Sequence, residues 1–199
     1  PILVTKAISA AAALKVSDAL KRGPLYYSEL AKTVGADQKA LHRTMRLLTS
    51  TGIYREVEPG TYANNPASET LASDHPANLR PMAVMIASAS HWQPWGHYED
   101  VVRTGNSGPQ LAFGKGIFDW FQQPENRKQW EIFNAAMTSF STGVAPAIAE
   151  AHDFTRYKTI ADVGGGHGLL LKRILEKAPA ARGILFDLPD RKSTRLNSS

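Results

Sequence analysis

The chain has 199 residues, of which 43% are hydrophobic and 21% charged, a composition that excludes disordered and fibrous proteins. The absence of cysteine excludes disulfides and thiolate metal sites and favours a reducing cytoplasm. The formal net charge of +5 includes three basic residues among the last nine, so the rest of the chain does not indicate nucleic-acid binding. No apolar run reaches the roughly 18 residues of a membrane helix.

The first predicted element is an alanine-rich helix over Ile2–Lys21, ended by Gly23-Pro24. Apolar residues surround most of this helix, so most of its faces require cover. A partner subunit and the rest of the same subunit are equally good candidates for that cover.

The residues that follow predict a winged helix, which is two helices and a β-hairpin. Ser28 and Asp37 have side chains that cap helix N-termini, and Gly52 is typical of a helix end. The predicted elements are a helix over Glu29–Val34, a helix from Asp37 to Gly52 with its apolar stripe at Leu41, Met45, Leu47 and Leu48, and strands Ile53–Val57 and Thr61–Tyr62 around a turn at 58–60.

The second of these helices carries a cluster of four basic residues, Lys39, His42, Arg43 and Arg46. In a DNA-binding winged helix these residues would face a groove. In a scaffold they would form a solvated basic face.

The middle of the chain is rich in aromatic residues. Residues 64–75 predict a loop, and Asp74 with Pro76 begins a helical region that ends at the breaker cluster 104–109. His91 and His97 stand six residues apart without suitable carboxylates, so no metal site is predicted.

A glycine- and aromatic-rich connection is predicted over 113–121, and a long helix begins at Pro124. On this helix Trp130, Phe133, Met137 and Phe140 recur at steps of 3, 4 and 3 and therefore share one face. Such a stripe is typical of a core, and it would also suit the wall of a pocket for a flat ring.

The segment 157–189 has the clearest functional pattern. Strand Ile160–Val163 enters Gly164-Gly165-Gly166-His167-Gly168, and helix Leu169–Lys177 leaves it. This arrangement directs backbone N–H groups at a ligand from a helix N-terminus. We expect Gly164 and Gly166 to allow close approach of the backbone, and Gly168 to allow the helix to start tightly.

A second strand, Ile184–Leu188, contains Asp187, which lies 23 residues after Gly164. Roughly 20 residues is the spacing expected for a carboxylate that binds ribose hydroxyls. The glycines are not those of the dinucleotide fingerprint, because its third glycine would fall at Leu169.

The two segments Asp162-Val163-Gly164-Gly165-Gly166-His167-Gly168 and Phe186-Asp187-Leu188-Pro189 resemble small-molecule O-methyltransferases that use S-adenosylmethionine, of the plant caffeate and bacterial polyketide type. The resemblance extends over Ile2–Pro189. It implies that the winged helix is a dimerisation module, which favours the scaffold interpretation, and it implies a homodimer with an aromatic small-molecule substrate.

The resemblance also implies site residues. These are Gly164, Gly166, Asp187 and Ser141 for the cofactor, and Phe133, Met137 and Phe140 for the substrate. The family's general base is a histidine further along the fold, and no residue here matches it. His167 lies in the cofactor loop, at a place where the family varies, so we expect no catalytic residue in this chain.

The predicted fold class is mainly α with an α/β C-terminal part: an N-terminal winged-helix dimerisation domain followed by the start of a Rossmann-like methyltransferase domain. The predicted domains are 1–105 and 106–190, with a tail at 191–199 that we expect to be foreign sequence. The predicted function is that of the N-terminal part of a cytoplasmic O-methyltransferase, inactive by itself, with no nucleic-acid or membrane partner. The alternative is a winged-helix transcription regulator.

Overall fold

The computed structural model describes residues 2–187 and 195–196. The chain divides into two compact units, 1–136 and 137–199. The predicted domain bounds at 105 and 190 stay predictions. Most of the predicted 191–199 tail lies outside the described residues.

The predicted helix over 2–21 is broken, and that prediction was wrong. Helix α1 (Ile2–Ala13) ends before Lys15, which adopts a left-handed conformation with φ of 57°. The short helix α2 (Val16–Ala19) follows, and a 3-10 turn completes the segment. Lysine is a good helix former, so nothing in the local sequence indicated the break.

The winged helix is present, with a third strand that the sequence did not indicate. Its three strands form an antiparallel sheet in the order β1-β3-β2. The elements are β1 (Leu25–Tyr26), α3 (Tyr27–Val34), α4 (Gln38–Ser50), β2 (Arg55–Glu58) and β3 (Thr61–Ala63).

Of the two predicted caps in this module, one is confirmed. The Asp37 carboxylate accepts a hydrogen bond from the Ala40 N–H at 2.8 Å and caps α4. The Ser28 prediction was wrong, because α3 begins one residue before Ser28 and has no side-chain cap.

The core of the first unit is built from the winged helix and the start of the chain. The predicted stripe of α4 is confirmed for Leu41, Met45 and Leu48, which are buried, whereas Leu47 is half-buried. The largest fully buried side chains of the cluster are Val16, Leu30, Met45, Leu48, Tyr54 and Tyr62.

The predicted loop at 64–75 contains a helix instead, α5 (Pro66–Glu69). The Asn65 side chain and the Ser68 side chain each bond the other residue's backbone N–H and form a capping box. The polar composition that indicated a loop therefore reflects a helix start.

The aromatic middle of the chain forms a series of short helices. They are α6 (Arg80–Ile86), α7 (Ala89–Gly96), α8 (Tyr98–Thr104), α9 (Gly108–Phe113) and α10 (Ile117–Phe121). The predicted connection at 113–121 is thus largely helical. A 3-10 turn at Pro124–Asn126 precedes the long helix α11 (Arg127–Ala151), which begins three residues later than predicted.

The second unit contains a β-α-β arrangement. Strands β4 (Thr159–Val163) and β5 (Arg182–Phe186) are parallel, and α12 (Leu169–Lys177) connects them with the bounds that the sequence predicted. Strand β5 ends at Phe186, two residues before the predicted end at Leu188, so Asp187 lies just beyond the strand. A two-residue strand, β6 (Arg195–Leu196), pairs antiparallel with β5.

Candidate functional site

The glycine loop joins β4 to α12 through residues with positive φ. Gly164, Gly166 and Gly168 have φ of 75°, 56° and 72°, a conformation that side chains rarely adopt. The Gly164 N–H donates to the Phe186 carbonyl at 2.7 Å, and the Gly168 N–H donates to the Gly165 carbonyl at 2.8 Å. The loop is therefore fixed both to the neighbouring strand and to itself.

Gly165 is closely packed in this loop, although its sequence pattern did not distinguish it from the neighbouring glycines. A Cβ at this position would overlap the Asp162 carboxyl group and lie 2.5 Å from Leu185 Cδ1. A Cβ at Gly164 would meet nothing within 4 Å, so Gly164 is required for its backbone conformation and not for space.

Asp187 lies beside the glycine loop, as the sequence spacing predicted. Its Oδ2 accepts a hydrogen bond from the Gly166 N–H at 2.6 Å. The bond joins the end of β5 to the middle of the loop, although 21 residues separate the two partners along the chain. A ligand that bound the loop backbone would therefore meet a carboxylate at its edge.

Asp162, the last polar residue of β4, is a second carboxylate at this loop, and it is not among the predicted site residues. Its Oδ2 is buried and has no hydrogen-bond partner in the described part of the chain. Burial raises the pKa of Asp162, the Leu171 backbone N–H opposes that shift, and the Asp187 charge adds to it. The loop thus has two acidic groups whose charges repel.

From α11, Thr138 contacts the glycine loop, and the role of Ser141 at the cofactor stays a prediction. The Thr138 hydroxyl and His167 Nδ1 are 3.0 Å apart, which links the helix to the loop. Ser141 is half-buried on the same helix, and three residues separate it from Thr138.

Phe133 belongs to an aromatic cluster in the first unit. Its ring stacks with Trp130 at 5.8 Å and 12°, and the buried Phe121 lies 5.2 Å away. Phe118 meets Phe133 edge-on at 6.1 Å and is half exposed. Flat apolar surface of this kind binds flat rings.

The other predicted substrate residues lie on α11 in the second unit. Met137 is half-buried. Phe140 is 56% exposed, so it is not part of a core within its own unit.

The basic face of α4 is narrower than the sequence indicated. His42 is half-buried, and its Nδ1 lies 3.1 Å from the Tyr62 hydroxyl. The three other basic residues, Lys39, Arg43 and Arg46, are exposed.

The residues that the structure describes contain no cluster of three or more His, Cys, Asp or Glu arranged to hold a metal ion. His97, which precedes α8, has its Nδ1 atom 3.8 Å from the carboxylate of Asp100 in that helix. Among the same residues, no helix is both long and apolar enough to span a bilayer.

Two family models match the chain. The O-methyltransferase dimerisation domain matches residues 2–74, and the O-methyltransferase domain matches residues 95–194. The second match covers the aromatic cluster, α11 and the glycine loop.

Known proteins give the same assignment. The phenazine O-methyltransferase PhzM of Lysobacter antibioticus is 35% identical, over 94% of this chain and 54% of that protein. The crystal structure of LaPhzM matches with a TM-score of 0.88 at 34% identity, over 96% of this chain and 57% of that one. The calicheamicin-biosynthesis methyltransferase CalO1, solved with SAH bound, matches with a TM-score of 0.80 at 29% identity, over 94% and 56%.

This chain spans about half the length of the curated relatives it matches. The matches do not favour a transcription regulator, since both models that match describe parts of methyltransferases. The order of the two matches is the predicted order, a dimerisation domain followed by a methyltransferase domain. The chain belongs to the O-methyltransferase family.

Proposed function

We propose that this chain supplies the dimerisation module and the first part of the cofactor site of an enzyme that transfers a methyl group from S-adenosylmethionine to a hydroxyl of an aromatic small molecule. The observation that carries the proposal is the bond between the Gly166 N–H and Asp187 Oδ2, which holds a carboxylate at a backbone cradle. Nucleoside binding at the end of parallel strands uses this combination.

Gly164, Gly166, Asp187 and Ser141 are the cofactor-binding residues of the proposal. The residues present suit a nucleoside, because the Asp187 carboxylate lies at the loop backbone and the buried Oδ2 of Asp162 has no hydrogen-bond partner among the described residues. The bound cofactor supplies an activated methyl group. Asp187 would bind the ribose hydroxyls, and the glycine backbone would bind the rest of the nucleoside edge.

Phe133, Met137 and Phe140 are the substrate-binding residues of the proposal. Their support is the exposed flat surface near Phe133 and the relative that is named for a phenazine. Aromatic and methionine side chains hold a ring by stacking and dispersion and leave its hydroxyl to polar groups. We expect no catalytic residue within this chain, and its inactivity in isolation stays a prediction.

The proposal includes no nucleic-acid partner. In support, the His42 ring packs against the rings of Tyr27 and Tyr62, so it does not belong to the exposed basic face of α4. The proposal includes no membrane partner, and it places the protein in the cytoplasm, in keeping with a sequence that has no cysteine.

The cofactor assignment is tested with Asp187→Ala. Removal of a charge-assisted hydrogen bond should weaken S-adenosylhomocysteine binding by about 1.5–3 kcal/mol, measured by calorimetry. Asp153→Ala is the matched control, because Asp153 bonds Thr155 in the same unit and not the glycine loop. Equal affinities of Asp187→Ala and the unaltered chain would exclude Asp187 from the cofactor site.

The proposed assembly is a homodimer through the first unit. Ile2 and Leu3 of α1 are 66% and 74% exposed, and an apolar groove of about 570 Å³ lies between α1, α5 and α6. Exposed apolar surface of this extent is typical of an interface.

Leu3→Asp should shift the protein towards monomer in analytical ultracentrifugation, because a dimer would bury the new charge. Val102→Asp is the control, since Val102 is 71% exposed and lies outside the match to the dimerisation domain. A dimer that withstands Leu3→Asp would show that α1 is not at the interface, and a monomeric unaltered chain would contradict the assembly itself.

A further inference from the structure

The side chains of Ser88, Ser90 and His91 form a hydrogen-bonded series near the aromatic cluster, and this series has no role in the proposed function. Ser88 Oγ donates to the Met85 carbonyl at 2.7 Å. Ser88 Oγ and Ser90 Oγ are 3.0 Å apart, and Ser90 Oγ and His91 Nδ1 are 3.1 Å apart. Ser90, the middle residue of the three, is buried, whereas Ser88 and His91 are half-buried.

The direction of each bond follows from the carbonyl at the end of the series. A carbonyl only accepts, so the single hydroxyl hydrogen of Ser88 is used on Met85. Ser90 must then donate to Ser88, which uses the single hydrogen of Ser90. The remaining bond therefore has His91 Nδ1–H as its donor and Ser90 Oγ as its acceptor.

This assignment fixes the state of the other ring nitrogen. A neutral imidazole has one N–H, so with hydrogen on Nδ1 the Nε2 atom has a lone pair and accepts hydrogen bonds. Burial lowers the pKa of His91, which keeps the ring neutral at neutral pH. No bond to Nε2 is present among residues 2–187, and the ring is only half-buried.

His91 lies beside Phe133, whose ring forms part of the surface proposed to bind the methyl-accepting substrate (the acceptor surface). Its ring stacks with Phe133, with ring centroids 6.4 Å apart and an angle of 22° between the planes. The Ser90 N–H donates to Gln129 Oε1 at 3.2 Å, which ties the start of α7 to the turn of α11 that precedes Phe133. The acceptor nitrogen is thus held next to a flat apolar surface by a rigid local network.

We propose that His91 Nε2 accepts a hydrogen bond from a hydroxyl or N–H group on the ring of the aromatic acceptor, and that it selects for rings with such a donor. The inference rests on the proposed function, because it requires an aromatic ring against Phe133. It adds a specificity-determining residue that is distinct from Phe133, Met137 and Phe140.

The tautomer is tested first, and this test needs no ligand. Long-range proton–nitrogen-15 spectra of the labelled chain should show His91 with hydrogen on Nδ1, which is the minority tautomer of free histidine. The signal is assigned by its loss in His91→Gln. A neutral His91 with hydrogen on Nε2 would overturn the proposal.

Specificity is tested with two probes of similar shape. 2-Naphthol has a hydroxyl donor, whereas 2-fluoronaphthalene has none, and equilibrium dialysis measures the binding of each. One hydrogen bond should give the unaltered chain a preference of roughly 5-fold for 2-naphthol. Equal binding of the two probes would overturn the inference and leave the acceptor surface standing, whereas binding of neither probe would contradict both.

Two variants form a matched pair, because each removes the imidazole ring and keeps one polar position. His91→Gln keeps a polar group near the position of Nε2 and should retain the preference for 2-naphthol. His91→Asn keeps a polar group near Nδ1 only and should lose it. Circular dichroism confirms that both variants are folded, and retention of the preference in folded His91→Asn would exclude Nε2 as the contact.

Discussion

The two units differ in how completely their sheets are covered. In the first unit β3 carries Tyr62, which is 0% exposed within a core of helices and hairpin. In the second unit α12 covers one face of the parallel pair, and Leu171 and Leu185 are buried there. On the same pair Val163 is 76% and Phe186 60% exposed.

This difference separates a stability element from a binding element. Parallel strands with apolar residues on both faces normally have cover on both sides, and the described part of this chain provides it on one. The hairpin of the first unit needs no such cover, because its side chains enter a core made by the same unit. We infer that the first unit contributes most of the free energy of unfolding, and that the second unit presents the glycine loop of the proposed cofactor site.

The largest expected effect is a loss of stability after a core substitution in the first unit. Leu48→Ala should lower the free energy of unfolding by about 2–5 kcal/mol, because the side chain is fully buried and leaves a cavity. Val163→Ala in the second unit should cost less than about 1 kcal/mol. Urea denaturation followed by circular dichroism measures both, and similar costs for the two variants would contradict the comparison.

The second effect uses the buried phenol of the first unit. Burial raises the pKa of Tyr54 to about 12, so the phenol ionises near pH 10 in the unfolded chain only. The stability from this group is complete below about pH 10 and is lost as the pH rises towards 12, by about 2–3 kcal/mol.

Tyr54→Phe should remove this loss of free energy of unfolding between about pH 10 and pH 12, as measured by denaturation at several pH values. Tyr98→Phe is the control, because Tyr98 is 55% exposed. If the free energy of unfolding falls equally at alkaline pH in Tyr54→Phe and in the unaltered chain, the Tyr54 phenol is not the group responsible.

The smallest effect sharpens the comparison at a helix end. Asp37→Ala should cost about 1 kcal/mol, because it removes the side-chain cap of α4. Ser28→Ala should cost almost nothing, since Ser28 lies inside α3 and does not cap it. Thermal unfolding compares the two, and a larger loss for Ser28→Ala would contradict the assignment of the caps. In the second unit α12 begins at Leu169, and its N-cap residue Gly168 provides no side-chain cap.

The sequence by itself determined the parts of this protein that depend on local patterns. The stripe of α4 has the period of a helix, so burial of Met45 and Leu48 followed directly. The glycine loop and α12 were predicted because positive φ and a helix start both have a strong residue signature. The carboxylate of Asp187 at the loop was predicted from a different signal, its spacing of roughly 20 residues from the first glycine.

Only the tertiary structure decided the features that depend on which atoms lie next to one another in space. The break at Lys15, the close packing of Gly165 on Asp162 and the contact of Thr138 with His167 involve residues with no local preference for those roles. The tautomer of His91 is the clearest case: it follows from a carbonyl two hydroxyl groups away, and a proton's position on a ring is set by its partners in space and not by the residue that carries it.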